Sequence, residues 1–181
     1  LHLSPNHVHY LSIWQEFVAA FPKNTELPSF PIWAMEFGAD YPLDDLTPFE
    51  RGYRRLSRYK GAFGQSLKGL SPEETEAALP GYARTKLERF PAWKIDFIEK
   101  NRAFYAEHKS IIDPWIYQIK SFPPSFQKLE WNTKGGVRDI WKHVIQFRAS
   151  GIRIKKADTA PSLIAMTTSQ VPIIGWERRY M

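Results

Sequence analysis

The spacing of apolar residues changes at Pro123-Pro124, and this change constrains the fold more than any other feature of the chain. Before it, apolar residues in segments such as 7–21 recur at i, i+3 and i+4, as on one face of a helix. After it, β-branched and aromatic residues form short runs separated by Gly and Pro, as in strands. The pattern predicts one α+β domain over 1–181, with a mainly helical part over 1–123 and a small, mostly antiparallel sheet over 124–181.

Capping residues and prolines predict where the helices begin and where helices are absent. Thr47-Pro48-Phe49-Glu50 and Ser71-Pro72-Glu73-Glu74 have the pattern of capping boxes with proline at the first helical position. Asp113-Pro114 resembles a third helix start, because aspartate is a common N-cap residue. The longest helix is expected over 90–108, whereas the four prolines of 22–42 predict an ordered loop. In the last part of the chain, strands are expected over 144–147, 152–154, 162–166 and 171–174.

Several classes of active site are excluded by the residues that the chain lacks. There is no cysteine, which excludes disulfides, cysteine-ligated zinc and thiol nucleophiles. His7 and His9 have no third ligand near them in sequence, so no metal site is expected. Gly135-Gly136 lacks the surroundings of a phosphate-binding turn, and no Gly-x-Ser-x-Gly motif is present. The acidic residues of 90–108 have the spacing of a solvated helix face, on which Arg102 is also expected.

The sequence also bears on where the chain functions. The apolar runs are too short for a transmembrane helix, and the N-terminus lacks the basic and apolar segments of a signal peptide. We therefore expect a cytoplasmic protein. Leu1 at the first position and the basic residues just before Met181 favour a chain excised from a larger protein.

Charge is distributed unevenly along the chain. Residues 1–50 contain one basic and seven acidic residues, whereas 51–181 contain 24 basic and 12 acidic residues. A positive excess of this size favours a polyanionic partner over a neutral small molecule. Two alternatives remain open. One is a protein-interaction module whose basic surface meets an acidic partner, and the other is a binder of single-stranded nucleic acid or RNA that stacks bases on Tyr53, Tyr59 and Trp131.

Two basic clusters supply the candidate DNA contacts. The first is spaced as one stripe of a helix at Arg51, Arg54, Arg55 and Arg58, which can lie along a phosphate backbone or reach base edges. We expect Arg54 and Arg58 to extend the positive surface that meets DNA. A solvated face paired with acids of the N-terminal third is the alternative. The candidates of the second cluster, in and near the sheet, are Lys134, Arg138, Arg148, Arg153, Lys155 and Lys156. We expect the last four of these to contact phosphates or guanine edges. The next segment supplies hydroxyls and an amide suited to phosphates and purine edges, at Ser162, Thr167, Thr168 and Gln170.

Several phrases of the chain resemble bacterial DNA cytosine-5 methyltransferases. They are Phe30-Pro31-Ile32-Trp33-Ala34-Met35-Glu36-Phe37-Gly38-Ala39, Phe126-Gln127-Lys128-Leu129-Glu130-Trp131-Asn132, Ile145-Gln146-Phe147-Arg148-Ala149-Ser150-Gly151, Ala160-Pro161-Ser162-Leu163 and Gly175-Trp176-Glu177-Arg178-Arg179-Tyr180. The resemblance is to the variable target recognition domain of these enzymes and extends over most of the chain. It implies that Ser162-Leu163 corresponds to the Thr-Leu dipeptide that lies near the extruded cytosine, with Ser in place of Thr.

This resemblance implies a domain that reads a short duplex sequence from the major groove while a catalytic domain of the same protein flips the target cytosine. Its implied partners are double-stranded DNA and that catalytic domain. S-adenosylmethionine is implied for the full enzyme but not for this chain, which lacks the family's glycine-rich cofactor motif, its Pro-Cys motif and its Glu-Asn-Val motif. Attack on cytosine C6 requires a thiolate, which a chain without cysteine does not supply.

Overall fold

The computed structural model describes residues 1–44, 46–159 and 171–181. The chain forms two compact units. The first contains Leu1–Ile32 and Ile111–Met181, and the second, inserted in the sequence of the first, contains Trp33–Ser110. Helices make up most of the regular structure before Pro123, and strands make up most of it afterwards, so the α+β prediction is confirmed. Among the described residues, no helix is both long and apolar enough to cross a membrane.

Helix α1 (Pro5–Ala20) of the first unit confirms the helix expected near the N-terminus. The Ser4 hydroxyl accepts a hydrogen bond from the His7 N–H at 3.2 Å, and Pro5 follows at the first helical position. The Trp14 Nε1 donates to the Phe126 carbonyl at 2.8 Å, so the polar group of this buried indole is satisfied. The buried residues of α1 are Leu11, Ile13, Trp14, Phe17 and Val18.

Helix α5 (Lys109–Ile116) shows that the helix start predicted at Asp113-Pro114 is wrong, because both residues lie inside the helix. Ile112 and Trp115 are buried, and the Trp115 Nε1 donates to the Ile13 carbonyl at 2.8 Å. Packing of these side chains outweighs the loss of the one backbone hydrogen bond that proline cannot donate.

The described residues form a six-stranded sheet in the order β1-β2-β4-β3-β5-β6. Its strands are β1 (Ile32–Trp33), β2 (Lys128–Asn132), β3 (Val144–Arg148), β4 (Gly151–Lys155), β5 (Ile173–Ile174) and β6 (Arg179–Tyr180). Strands β2 and β4 are parallel, whereas the pairs β3–β4, β3–β5 and β5–β6 are antiparallel. The mostly antiparallel sheet is therefore confirmed; the strand expected over 162–166 lies outside the described residues.

This sheet has an apolar and a polar face, because side chains alternate along a strand and cross-strand partners share a face. Ile152 pairs with both Leu129 and Phe147, and Ile152 and Leu129 are buried. On the same face, the Phe147 ring lies 4.7 Å from the His7 ring of α1. The residues at the alternate positions lie on the opposite face, and they include Glu130, Arg148, Arg153 and Lys155.

Two helices of the second unit, α2 (Pro48–Arg51) and α3 (Pro72–Ala77), begin at the predicted caps. A third helix is α4 (Ala92–Glu107). Both bonds of the capping box form at α3, since the Ser71 hydroxyl accepts from the Glu74 N–H at 3.1 Å and the Glu74 carboxylate accepts from the Ser71 N–H at 2.8 Å. At α2 the Thr47 hydroxyl accepts from the Glu50 N–H at 3.4 Å. The larger buried cluster of this unit contains Ala39, Tyr41, Leu56, Leu67, Ala78, Leu79, Ala83 and Phe90.

The helical arginine stripe expected from Arg51 to Arg58 is wrong. Helix α2 ends at Arg51, because Gly52 has a φ of +87°, a conformation that glycine adopts without steric cost and that interrupts the helix. A short 3-10 helix, Tyr53–Leu56, follows. Because α2 ends at Arg51, this residue does not share a helix face with the later arginines, and it forms a salt bridge with Asp44 at 2.6 Å.

A fully buried carboxylate in the second unit was not identified from the sequence. Glu36 is 0% exposed; it accepts hydrogen bonds from the Tyr41 and Tyr82 hydroxyls at Oε1 and from the Arg102 Nε at Oε2, 3.0 Å away. The expectation that Arg102 faces solvent is therefore wrong, because a buried carboxylate needs a charged partner. Burial and then the Glu36 charge raise the pKa of Tyr41 and the pKa of Tyr82 well above 10.0.

Candidate nucleic-acid interface

Three charged side chains meet on the polar face of the first unit's sheet. Glu130 of β2 pairs in register with Arg153 of β4, and Arg148 pairs with the first residue of β4 from the other side. The Arg153 Nε donates to Glu130 Oε2 at 2.8 Å, and the Arg148 Nη2 donates to Glu130 Oε1. We name these residues the Arg-Glu-Arg cluster. It spans the adjacent strands β2, β4 and β3.

Solvent reaches the members of the Arg-Glu-Arg cluster unequally. The side chains of Glu130, Arg148 and Arg153 are 20%, 15% and 30% exposed. Burial raises the pKa of Glu130, but hydrogen bonds from the two arginines and their charges outweigh it, so the pKa lies below its ordinary value of 4.5. Glu130 is therefore ionised at neutral pH, and the cluster of two guanidinium groups and one carboxylate remains positive.

Two lysines extend this positive face at the end of β4. Lys155 pairs in register with Asn132 and Val144, two positions after Arg153, so it shares the face of the Arg-Glu-Arg cluster. Lys156 is the residue after β4. Within the part of the chain that the structure describes, neither lysine forms a salt bridge. No described carboxylate therefore neutralises either ammonium group, and both side chains are partly exposed.

The glycine loop after β2 contains two further candidates in different surroundings. Lys134 is exposed and has a φ of +49°. Arg138 is tied to the segment after α1: its Nη1 donates to the carbonyls of Phe21 and Pro22 at 2.9 and 2.6 Å, and its Nη2 donates to the carbonyl of Thr25. These bonds fasten the loop to that segment. The contact of Arg138 with DNA stays a prediction.

This loop lines a cavity of about 860 Å³ between the segments 19–29 and 131–139. Packing requires glycine at 136, because a Cβ there would lie 2.8 Å from the His143 ring, whereas Gly135 has a φ of +81° and open space around it. The element that follows is the short 3-10 helix Ile140–Lys142, whose first residue donates its N–H to the Gln15 side chain at 2.6 Å. The loop therefore does not present the start of a long helix to a phosphate.

The candidates of the second unit are solvent-exposed. Arg54 lies in the 3-10 helix after α2, and Arg58 follows that helix. The Arg58 Nη2 donates to the Tyr59 hydroxyl at 2.9 Å, and its guanidinium lies 5.0 Å from the centre of the Tyr59 ring. Arg58 thus contacts one of the three aromatic rings that the single-strand alternative proposes for stacking.

The remaining predicted contacts belong to the segment that follows β4 in sequence. Ser162, Leu163, Thr167, Thr168 and Gln170 lie outside the described residues.

Sequence reasoning missed Glu130 as a site residue. The alternation of polar and apolar residues along each strand was a usable signal. Glu130 follows the apolar Leu129 in β2, as Arg153 follows Ile152 in β4, so both charged residues are expected on the polar face. Only the parallel register of β2 and β4 places the acid beside Arg153, and that register is not readable from either strand alone.

Comparison with known proteins relates the chain to a methyltransferase. It is 29% identical, over an alignment of 189 residues, to the Type II methyltransferase M.AluI of Cellulosimicrobium cellulans. The alignment covers 99% of this chain and 35% of that protein, so the chain spans about a third of the length of the curated relative it matches. No protein-family model and no solved structure matches the chain. The similarity supports a link between the chain and type II methyltransferases.

Proposed function

We propose that this chain is the sequence-specific, double-stranded DNA recognition domain of a DNA cytosine-5 methyltransferase of the restriction-modification type. It positions DNA so that a catalytic domain of the same protein flips and methylates the target base. The observation that carries the proposal is the similarity to a type II methyltransferase over 99% of this chain and 35% of that protein. Such a ratio is expected of one domain of a longer enzyme.

The chemistry of methyl transfer belongs to the other part of the enzyme. Cytosine C5 methylation requires a thiolate nucleophile, and the chain has no cysteine. S-adenosylmethionine is the methyl donor of such an enzyme. The residues described here do not fit that cofactor, since the double glycine follows a strand but leads to a 3-10 helix and Gly136 is packed against His143. We therefore assign no step of the reaction to this chain.

Its assigned role is electrostatic and geometric. Lys155 and Lys156 contact phosphates, and the exposed Lys134, Arg54 and Arg58 extend the positive surface. Arg148 and Arg153 lie on the surface that faces the duplex, where Glu130 holds their side chains. Arg138 acts indirectly, because it holds the glycine loop in place. The residues Ser162, Leu163, Thr167, Thr168 and Gln170 of the segment after β4 are proposed to read the target site.

Charge reversal at the end of β4 tests this assignment. Lys155→Glu with Lys156→Glu is expected to weaken binding to all duplexes alike, by about tenfold or more, and to reduce the salt dependence by about two phosphate contacts. The measurement is fluorescence anisotropy across a salt series. Lys68→Glu with Lys86→Glu, at two exposed positions of the second unit, is the matched control for net charge and should weaken binding much less. Unchanged binding by the variant with both lysines replaced would show that the end of β4 does not contact DNA.

Competing ligands in the same assay separate the proposal from its alternatives. Tightest binding to duplex, weakening steeply with salt, supports a duplex recognition domain. Equal binding to heparin of similar charge density would instead favour a basic protein-interaction module. Tighter binding to single strands, with quenching of tryptophan fluorescence, would favour a stacking binder.

A further inference from the structure

The two arginines of the Arg-Glu-Arg cluster differ in which nitrogen binds Glu130 and in how exposed their side chains are. Arg153 gives only its Nε to Glu130, at 2.8 Å, and its side chain is 30% exposed. Within the described residues, its two terminal NH2 groups have no hydrogen-bond partner. Arg148 gives its terminal Nη2 to Glu130, its Nε is buried, and its side chain is 15% exposed. Arg153 therefore presents an open fork of donors, whereas Arg148 braces Glu130.

The strand that holds Arg153 is well supported. Strand β4 is hydrogen-bonded on both sides, by β2 and by β3, and its neighbours Ile152 and Ile154 are buried in the core. Glu130 restrains the far end of the long Arg153 side chain. Such a fork loses little rotamer freedom when it binds, because its geometry is already restricted.

We propose that Glu130 is a positioning residue that presents Arg153 to the O6 and N7 atoms of a guanine in the major groove. This inference rests on the proposed function. Two parallel N–H donors match the two acceptors on that guanine edge, which makes bidentate arginine a specific reader of guanine. Phosphate is the poorer ligand for Arg153, because the bound carboxylate of Glu130 offsets part of the positive charge that attracts phosphates. Lys155, which has no carboxylate partner among the residues that the structure describes, suits that task.

A base analogue tests this contact without altering the protein. The whole chain is first used to select its preferred duplex from a random pool. Each guanine of that duplex is then replaced by 7-deazaguanine, which lacks the N7 acceptor. At one guanine we expect the replacement to weaken binding by wild-type protein about fivefold to tenfold, a share of the discrimination that one bidentate contact supplies.

Protein variants then identify the residues responsible. With Arg153→Met the analogue should cause no further loss at that guanine. With Glu130→Gln its effect should fall at least by half, because the amide holds the guanidinium less firmly, while the salt dependence stays as in wild type. Lys155→Met is the matched control: it should weaken binding to all duplexes alike and leave the analogue effect unchanged. Circular dichroism melting verifies that each variant is folded.

The outcomes distinguish this inference from the proposed function. If Glu130→Gln is folded and keeps the full analogue effect, the positioning role is wrong, although DNA recognition stands. If the effect is lost with Arg148→Met instead of Arg153→Met, the assignment of the reader is wrong. If Glu130→Gln does not fold, the analogue is tested with Arg153→Met alone. An analogue effect that is lost in this variant shows that Arg153 contacts the guanine, and an effect that persists shows that it does not. Wild-type protein that does not discriminate among duplexes would overturn the proposed function itself.

Discussion

Glu36 carries a buried negative charge within the second unit. Its carboxylate is fully buried and is satisfied by the two tyrosine hydroxyls and by Arg102, which also donates to the Tyr41 carbonyl at 2.9 Å. A buried carboxylate of this kind stabilises a fold only while all its partners are present. Removing its charge leaves a guanidinium without its counter-ion.

Replacing Glu36 tests this dependence. Glu36→Gln is expected to lower the free energy of unfolding by about 2–4 kcal/mol, less than for a fully buried pair because the Arg102 side chain retains 20% exposure. Urea denaturation measures the effect. Glu88→Gln, which removes an exposed carboxylate 3.7 Å from Arg89, is the control and should change stability by less than about 0.5 kcal/mol. Equal effects of the two substitutions would contradict the role given to Glu36.

The two tyrosines of this site give stability a dependence on alkaline pH. Burial and then the Glu36 charge raise the pKa of Tyr41 and the pKa of Tyr82 well above 10.0 in the folded protein, whereas in the unfolded chain both titrate near that value. Their contribution is therefore fully present below pH 10 and is lost as the pH rises above it. Ultraviolet titration should show that these two phenols ionise together with unfolding, and the transition should be smaller in Tyr82→Phe. Ionisation of all eight tyrosines in protein with a native circular dichroism spectrum would contradict this.

Among the elements, the parallel pair β2–β4 joins two strands that are separated in sequence by β3. It depends on Gly151, the first residue of β4, which has a φ of +129°. A Cβ there would lie 2.8 Å from the Lys128 Cβ and 3.1 Å from the Lys128 carbonyl oxygen, so β2 would be pushed away. The same pair aligns Glu130 with Arg153. The close approach of two strands thus positions the Arg-Glu-Arg cluster.

We expect Gly151→Ala to lower the free energy of unfolding by about 2–3 kcal/mol, because it adds backbone strain and overlap at the strand pair. Thermal and urea denaturation measure the loss. Gly81→Ala is the matched control, since that glycine has no atom within 4 Å of an added Cβ and no positive φ, and it should be close to neutral. A neutral Gly151→Ala would show that β4 adjusts its approach to β2.

At the scale of the whole molecule, the chain divides into two units, and the sequence of the second lies between the two parts of the first. The second unit has its own buried clusters, one around Leu56 and Leu79 and one of Trp33, Met35 and Ile98. The buried Asn101 of α4 connects that helix to β1, since its Oδ1 accepts a hydrogen bond from the Trp33 N–H at 2.7 Å. A core of this kind is what independent folding requires.

We therefore expect a polypeptide of residues 33–110 to fold on its own. Its circular dichroism spectrum should be helical and should disappear in a single cooperative thermal transition. Leu56→Ala in the same polypeptide removes a fully buried side chain and should lower the midpoint clearly, because it leaves a cavity. A gradual loss of signal that Leu56→Ala does not alter would show that this unit depends on the rest of the chain.

The sequence by itself determined the α+β class, the capped starts of α2 and α3, the exclusion of thiol chemistry and the excess of positive charge after residue 50. These properties depend on composition, on periodicity and on residues within one turn of each other. The same reasoning failed at Asp113-Pro114 and at Gly52. There, side-chain burial and a single backbone dihedral angle outweighed a local pattern.

Only the tertiary structure decided which charged side chains have partners, and which partners these are. Arg102 meets Glu36 across 66 positions of sequence, Arg153 meets Glu130 across 23, and Arg138 reaches the Phe21 carbonyl across 117. Such partners are chosen by strand register and by packing, which bring together residues that no sequence pattern relates. The physical reason is that burying a charge costs free energy unless a partner compensates it, and the fold determines which partner lies nearby.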